Sequence, residues 1–464
     1  MQPIKVIELL EKLDISDLER LGELLKYRNR RPEYVCLFNE IVSNIIHQKV
    51  NTKEQLWKTV YGKQPLNNNQ FRKLCFDLLQ DIEQTLGLLY VDKNDVNKTI
   101  LLLQYLSRHT IGNTFEEKWE RLQKQIKQTD KKLNSTGLYL KYEMQNCMYE
   151  YLVNNPAKSK LNNILSVSDT LDDYYILQKL KFICHAINES KFTTYNSLPR
   201  FNGYVIEMAN DINSENKTLI DFYLSIYRLF TSPASEKPYD IIKQQLENSD
   251  LIDESERRII FQYVINFCIL ELNSGNQHFE SELFDIYKTY IRKIEDKIFS
   301  PFRFKNIINL SLKLKQYSFA GSFIDKYGKK LPSEQQQTVI AFNKAKLNYE
   351  LKKYDDVIDT LQNIKTSDLT FNLSSKVLLV KTFYEKKEFI FLESFLETFR
   401  VYVLRNRQIN TSSKKNYFDF IKNCKKLIAL DVKSKKEIDQ FTIRIIKHEN
   451  LSDKNWLLEK LASI

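Results

Sequence analysis

The chain has 464 residues, a formal net charge of +11, and only 9 glycines and 9 prolines. At about 2% each, these residues fall well below their usual frequencies of roughly 7% and 5%, which argues against Rossmann sheets, hydrolase elbows and β-sandwiches because those folds need many tight turns. Hydrophobic residues make up 42% of the chain and charged residues 28%, so the protein can bury a large core and is not disordered. The length predicts two to four domains or one elongated array.

The N-terminal segment is unlike a signal peptide, because Glu8, Glu11 and Asp14 interrupt its apolar residues. No stretch approaches the roughly 18 apolar residues of a membrane span. The six cysteines form no C-x-x-C pair, so we predict buried, reduced thiols rather than a zinc ribbon or a redox dithiol. We expect a soluble, cytoplasmic protein that does not bind a membrane.

Residues 1–110 are predicted to form an N-terminal helical region. Three helices near 33–47, 53–61 and 68–86 have the spacing of a winged-helix DNA-binding module. The third helix begins with amide and basic side chains suited to the major groove: Asn67, Asn68, Asn69, Gln70, Arg72 and Lys73. Acidic residues follow directly, and only Leu88 to Val91 offers a wing strand. We therefore favour a helical cap over a winged-helix module.

Residues 111–299 are predicted to contain degenerate helical hairpins. Phe279 lies 38 residues before the aromatic residue Tyr317, and Tyr239 lies 40 residues before Phe279; each of the two upstream aromatics follows a polar turn. Such regular spacing indicates repeated hairpins, each made of two helices joined by a short turn. Three loops are expected between helices: Ser107–Asn113, Asn154–Ser168 and Thr231–Pro238.

Residues 300–400 contain three segments that align without gaps: Lys315–Ile324, Lys352–Leu361 and Lys387–Leu396. Each has a polar turn, then an aromatic residue, then apolar residues three and seven positions later. The aromatics are spaced by 37 and 35 residues: Tyr317, Tyr354 and Phe389. The pattern predicts stacked helical hairpins that bury a shared apolar stripe, with each aromatic wedged between the two helices of its own hairpin. The whole chain is predicted to be all-α.

These hairpins resemble the tetratricopeptide repeat, a helical hairpin of about 34 residues with an aromatic at the start of its second helix and a small residue three positions later. Tyr317 with Ala320 fits, and Pro332 lies where that family often ends a unit. The departures are lysine at the usual turn glycine and larger residues at the small position: Lys315, Lys352, Lys387, Val357 and Leu392. The resemblance covers about residues 300–400 and implies a right-handed α-solenoid of tetratricopeptide-like helical hairpins.

A second resemblance spans most of the chain. Five segments are similar to a family of uncharacterised Bacteroidota proteins: Pro32–Phe38, Thr52–Trp57, Phe71–Leu74, Ser300–Asn306 and Phe399–Asn406. This resemblance implies fold and lineage and adds no chemistry.

Residues 401–464 are predicted to form a basic C-terminal helical cap. From Arg400 onward there are 15 Lys and Arg residues against 7 Asp and Glu. Asn410–Ser413 is a helix start signal, and the helix that follows, predicted over 414–430, places three lysines within about 40° of one another. The basic stripe comprises Lys415, Lys422 and Lys426, preceded by Arg400, Arg405 and Arg407. The stripe could bind a phosphate backbone or an acidic partner. The alternative is a solvated face with no partner, and the carboxylate of Asp419 weakens its positive field.

No catalytic or metal-binding motif is present. The sequence lacks a G-x-G-x-x-G loop and a P-loop, and its five histidines are scattered without an H-E-x-x-H pair. We expect no enzyme activity, no cofactor and no bound metal.

The sequence is best explained by a non-enzymatic scaffold that binds a protein or peptide on the concave face of the solenoid. Asn343 and Lys346, on the first helix of the Tyr354 hairpin, are candidate contacts, together with the three lysines of the basic stripe and the three arginines that precede it. The alternative is a nucleic-acid-associated regulator that uses the N-terminal helices or the basic C-terminal helices.

Overall fold

The computed structural model describes residues 4–28, 31–109, 112–129, 132, 134–155, 163–194, 197–232, 236–248, 252–363, 368–430, 435–448 and 451–464. Within these ranges every regular element is a helix and no β-strand occurs, so the predicted all-α class is confirmed. The chain forms two compact units, Met1–Arg257 and Arg258–Ile464. This division lies inside the predicted hairpin region 111–299, and the four predicted domains stay predictions.

The first unit contains twelve helices that lie entirely within it, counted over its described residues: α1 (Lys5–Leu10), α2 (Ile15–Arg28), α3 (Pro32–Ile46), α4 (Lys53–Tyr61), α5 (Asn68–Asp92), α6 (Asp95–Arg108), α7 (Gly112–Thr129), α8 (Ser135–Asn154), α9 (Ile164–Phe192), α10 (Asn202–Asp211), α11 (Lys217–Thr231) and α12 (Glu236–Asn248). Helices α1 to α5 share one apolar core, and α6 to α8 share another.

Helix α13 (Glu254–Asn273) contains the division between the units. The second unit continues with α14 (Phe279–Lys293), α15 (Pro301–Lys313), α16 (Tyr317–Tyr327), a 3-10 turn at Gly328–Lys330, α17 (Ser333–Glu350), α18 (Tyr354–Gln362), α19 (Leu369–Glu385), α20 (Phe389–Arg405), α21 (Thr411–Ile428), α22 (Lys435–Lys447) and α23 (Lys454–Ala462). In the parts of the chain that the structure describes, no helix has both the length and the hydropathy needed to cross a bilayer.

Three hairpins in the second unit stack in chain order: α15–α16, α17–α18 and α19–α20. Each helix packs against its neighbours in sequence, and the first helices α15, α17 and α19 also contact one another. This is the packing of an α-solenoid, in which each hairpin buries its apolar stripe against the next.

The N-terminal helices predicted near 33–47 and 53–61 correspond to α3 and α4. Leu88–Val91, the one candidate for a wing strand in the winged-helix alternative, continues α5 as helix. Ile82 and Leu89 are both buried on the core face of α5, so the 3.6-residue apolar period runs through this segment and the helix does not end before it.

All three predicted loops are shorter than expected. The loop at Asn154–Ser168 ends before Ile164, where α9 begins, and the loop at Thr231–Pro238 ends before Glu236. Pro238 lies in the first turn of α12, where a missing N–H breaks no helical hydrogen bond. Helices α6 and α7 shorten the loop at Ser107–Asn113 in the same way. The remaining loop residues 110–111, 156–162 and 233–235 lie outside the described residues.

The three aligned lysines adopt the same turn conformation. Lys315, Lys352 and Lys387 have φ values of 57°, 60° and 59°, in the left-handed region that usually takes glycine. The N–H of Lys352 bonds to the Tyr349 carbonyl at 3.0 Å, and the next N–H bonds to the carbonyl five residues before it at 2.8 Å; the other two turns have equivalent bonds. These two bonds define a Schellman motif. The gapless alignment of the hairpins is therefore confirmed by backbone geometry.

The aromatic residue after each turn packs across that turn. The Tyr354 ring lies 5.8 Å from the Tyr349 ring, and the Phe389 ring lies 5.7 Å from the Tyr384 ring. Tyr349 and Tyr384 each stand three residues before a turn lysine. These contacts agree with the predicted wedge for the half-buried Tyr354 in α17–α18. Phe389 is 38% exposed, so in α19–α20 the aromatic contacts the first helix without being enclosed between the two helices.

The predicted burial of the cysteines is confirmed for all but Cys36. All six cysteines are free, and five of them are buried. Burial raises the pKa of Cys75 to about 11 and that of Cys147 to about 12, so both thiols are protonated at neutral pH.

Candidate functional site

Asn343 and Lys346, the two contacts predicted on α17, differ in exposure. Asn343 is 1% exposed, and its Nδ2 donates to the Val339 carbonyl of the same helix at 2.8 Å. Its side chain therefore belongs to the core and not to the surface. Lys346 is half-buried and reaches the neighbouring helix α15.

Lys346 has the same position in its hairpin as Asn309 and Lys381 have in theirs, six residues before the turn lysine. Its Nζ donates to Asn309 Oδ1 at 2.5 Å. Burial, and then the ammonium groups of Lys305 and Lys381, lower the pKa of Lys346 to about 8. Among the described residues no carboxylate forms a salt bridge with Lys346, so its positive charge is only partly compensated.

The last helix, α23, and the residue before it contact the same face of α17 and α19. Three polar contacts join them: Lys381 Nζ to Asp453 at 3.0 Å, Lys460 Nζ to Glu385 at 2.7 Å, and Trp456 Nε1 to the Tyr349 hydroxyl at 3.1 Å. The Lys381 ammonium also lies 5.4 Å from the ring centre of Tyr349 and 5.9 Å from that of Trp456. Burial, and then the Glu385 carboxylate, raise the pKa of Tyr349, so its hydroxyl stays neutral.

A cleft of about 790 Å³ opens beside this network. Its walls combine three kinds of side chain: the cations Lys352, Lys381, Lys454 and Lys460, the acids Glu350, Glu385, Asp453 and Glu459, and the aromatics Tyr349, Tyr354 and Trp456. Burial raises the pKa of Glu350. The volume lies within the range of pockets that hold small ligands or the side chains of a peptide.

These wall residues suit recognition by charge and shape. Lysines donate to carboxylates, and the partly buried rings of Tyr349 and Tyr354 offer rigid contact area.

Lys346 was predicted as a contact from the sequence and Lys381 was not, although both stand six residues before an aligned turn lysine. The alignment could have identified Lys381 by that shared position. It could not have identified Trp456, which lies 107 residues from its partner Tyr349 and follows no local pattern that relates it to the hairpins.

The predicted basic stripe lies on α21, and the arginines that precede it lie on α20 and in the turn that follows α20. Asn410 Oδ1 accepts from the Ser413 N–H at 2.8 Å, so the predicted helix start is confirmed with Asn410 as the cap. The six basic residues are all exposed: Arg400, Arg405, Arg407, Lys415, Lys422 and Lys426. Their predicted role in binding stays a prediction.

The start of α5 was the alternative nucleic-acid-binding element. Asn67 there caps the helix, because its Oδ1 accepts from the N–H groups of Asn69 and Gln70 at 3.1 and 3.2 Å. Arg72 and Lys73 are exposed. Without the wing strand, the winged-helix interpretation has only the helix spacing and these side chains in its favour.

A buried polar network in the first unit joins four helices. Glu256 is 2% exposed and accepts from Lys181 Nζ at 2.7 Å, from the Ser135 N–H at 3.1 Å and from the Tyr223 hydroxyl at 2.5 Å. Burial raises the pKa of Glu256, but the hydrogen bonds from Lys181 and Tyr223 outweigh burial and hold it below its ordinary value. These hydrogen bonds link α8, α9, α11 and α13 through the single carboxylate of Glu256.

The first unit also has an acidic cleft of about 640 Å³ whose walls include Asp169, Asp172 and Asp173. Asp173 Oδ2 accepts from Ser214 Oγ at 2.6 Å and from Asn216 Nδ2 at 2.7 Å, so this carboxylate orders the start of α11. In the described part of the chain, no group of three or more His, Cys, Asp and Glu side chains is arranged to hold a metal ion.

Comparison of the chain with known protein families, curated proteins and solved structures finds no match. The class of protein therefore follows from the fold and the cleft alone. It is an all-α helical-repeat protein with a cleft beside α17, α19 and α23 that is lined by charged and aromatic side chains. The tetratricopeptide and Bacteroidota resemblances stay predictions.

Proposed function

We propose that the chain is a non-enzymatic, tetratricopeptide-like scaffold of Bacteroidota lineage that binds an acidic segment of a protein or peptide in the cytoplasm. The binding face is formed by α15, α17 and α19 and ends at the cleft beside α23. The tetratricopeptide repeat usually has glycine in the turn between its two helices. The residues at that position here all have the left-handed backbone that glycine favours, which supports the proposed resemblance: Lys315, Lys352 and Lys387.

The observation that carries the binding proposal is the half-buried ammonium of Lys346. It is hydrogen-bonded only to the neutral Asn309 amide among the described residues, and the ammonium groups of Lys305 and Lys381 act on it more strongly than the carboxylates of Asp453 and Glu350, neither of which forms a salt bridge with it. Desolvated charge without a counter-ion is unfavourable, and a carboxylate from a partner would satisfy it. The adjacent, partly buried ring of Tyr349 would supply a rigid anchor of the kind that dominates interface energies.

The test is quantitative affinity capture from nuclease-treated lysate with three baits: the wild type, Lys346→Met and Lys344→Met. Methionine keeps most of the side-chain volume and removes the charge. Lys344 lies on the same helix, is exposed and pairs with Asp325 at 2.9 Å, so it is the matched control. We expect a partner that the wild type and Lys344→Met both retain and that Lys346→Met loses.

A synthetic acidic segment of that partner should then bind the wild type about 10- to 100-fold more tightly than Lys346→Met, the range expected for one charged hydrogen bond. Equal binding of the segment to both proteins would contradict the proposed face. Substrate turnover abolished by the same substitution would contradict the non-enzymatic part.

A further inference from the structure

Three exposed lysines of α21 form a straight ridge, which we define as Lys415, Lys422 and Lys426. They lie within about 40° of one another around the helix and extend over roughly 16 Å of its axis. The side chain of Lys414 reaches back to the Leu404 carbonyl at 3.0 Å, which brings the end of α20 with Arg405 beside the start of the ridge.

The acidic residues near the ridge are already engaged. Glu397 accepts from Arg400 at 2.6 Å and from Lys425 at 3.0 Å. Asp419, which shares the face of the ridge, lies 3.3 Å from His448 Nε2. In contrast, Lys415 and Lys422 form no salt bridge with any residue that the structure describes, so the field of the ridge stays positive.

Lys426 differs from the other two ridge lysines in having an aromatic neighbour. Its Nζ lies 4.7 Å from the ring centre of Phe441 on α22. This contact holds the third ammonium in line with the other two without neutralising it, because the ring carries no net charge.

The chemistry of the ridge distinguishes between polyanionic partners. Among the exposed residues of α21 none is a large apolar side chain, whereas the centres of protein interfaces are rich in aromatic residues and depleted in lysine. The ridge also lacks the exposed aromatics on which single-stranded bases stack. A line of lysines with no other contact group is suited to phosphates held at fixed positions on a duplex.

We propose that the α21 ridge binds the sugar–phosphate backbone of double-stranded nucleic acid without reading its bases. This activity is separate from the proposed protein-binding face, since it uses residues on a different helix. Its phosphate contacts release counter-ions, so the affinity falls steeply with salt.

The test measures the fluorescence anisotropy of a labelled duplex DNA with the full chain, titrated between roughly 50 and 200 mM KCl. Reversing all three ridge charges, as Lys415→Glu, Lys422→Glu and Lys426→Glu, should reduce the slope of log K against log salt by about one unit per lysine. Two duplexes of unrelated sequence should give the same result.

The control reverses three exposed lysines of the first unit, as Lys12→Glu, Lys26→Glu and Lys124→Glu. It changes the net charge by the same amount and should keep the wild-type slope. An equal reduction of this slope in the control would contradict the proposed binding site, because it would mean that overall charge alone drives binding.

A gain-of-affinity variant separates the proposal from a folding defect. Asp419→Asn removes the carboxylate on the ridge face and should tighten duplex binding roughly two- to five-fold, the effect of one nearby charge in water. No gain from Asp419→Asn would overturn the proposal. So would ridge-dependent binding to polyglutamate with none to the duplex, which would indicate an acidic protein partner.

Discussion

Glu256 shows how one buried carboxylate can connect distant parts of the first unit. Its partners Lys181 and Tyr223 come from other helices, and each supplies a donor that the carboxylate needs after losing water. Removing one member of such a buried pair costs about 3–5 kcal/mol because the other charge stays unpaired. Replacing both members by neutral residues of similar size avoids that penalty.

The lowered pKa of Glu256 predicts how stability depends on pH. A carboxylate whose pKa is depressed in the folded state stabilises the fold above its ordinary pKa of 4.5, and this contribution is lost as the pH falls through the folded pKa. We expect the double variant Lys181→Met/Glu256→Gln to lose less stability than the wild type when urea unfolding is compared from about pH 6 to about pH 3.

Glu256→Gln alone is the control for this prediction, since it leaves the Lys181 ammonium buried without a counter-ion. It should be less stable than both other proteins at neutral pH. Identical acid sensitivity of the wild type and the double variant would mean that other carboxylates govern acid unfolding.

Single residues were the hardest part of this structure to predict from sequence. Lys181 and Glu256 are 75 positions apart, and no local pattern marks them as partners. Asn343 was predicted at the surface because it is polar, yet it lies in the core with one helical carbonyl as its partner. Burial of a polar residue depends on the packing of neighbouring helices, which one helix's sequence does not contain.

At the scale of elements, the same backbone strain recurs in the turn between the two helices of each hairpin of the second unit, Lys315, Lys352 and Lys387 being the strained residues. A left-handed backbone costs a residue with a side chain roughly 1–2 kcal/mol, and the second unit has lysine there in three successive hairpins. Glycine would remove this strain, although it also gains freedom in the unfolded chain, worth about 0.4–1 kcal/mol.

We therefore expect Lys352→Gly to stabilise the second unit by about 0.5–1 kcal/mol. Lys422→Gly is the control, because Lys422 is exposed within α21 and glycine inside a helix costs about 1 kcal/mol. Thermal unfolding monitored by circular dichroism should show shifts of opposite sign. A destabilised Lys352→Gly would mean that the lysine side chain makes a stabilising contact that outweighs the strain.

Elements with a sustained apolar period were predictable, and their ends were not. The hairpins of residues 300–400 and the helices α3 and α4 follow directly from spacing. The candidate wing strand at Leu88–Val91 rested on a short apolar run, which fits a strand and a buried helix equally well. Leu89 decides between them, because it continues the buried face of α5.

At the scale of the whole molecule, most packing joins helices that are close in sequence. Stability in such arrays is a sum of local terms, and cooperativity need not extend along the entire chain. Two tryptophans can report on this, since Trp119 lies in the first unit and Trp456 lies in the second.

We expect single-tryptophan variants, made with phenylalanine at the other positions, to give different urea midpoints for Trp119 and Trp456. Glu256→Gln should lower the Trp119 midpoint, and Lys352→Gly should raise the Trp456 midpoint, each without an equal shift of the other. Fluorescence of the two variants would be recorded beside circular dichroism. Coincident midpoints by all three signals would show one cooperative unit.

The Schellman turns have a consequence for how a chain of this kind can change its length. Lys353 and Glu388, the residues after two of the turn lysines, share nearly the same φ and ψ, −87° and 66° against −81° and 59°. Deleting residues 353–387 would therefore join Lys352 to Glu388 with the turn intact. Deleting residues 316–352 would likewise join Lys315 to Lys353, whereas a deletion that does not run from one of these turns to the next would place a different residue at the left-handed position. The repeating unit therefore runs from one turn lysine to the next. Duplication or loss of whole units in the gene would lengthen or shorten the protein and leave the geometry of every remaining turn unchanged.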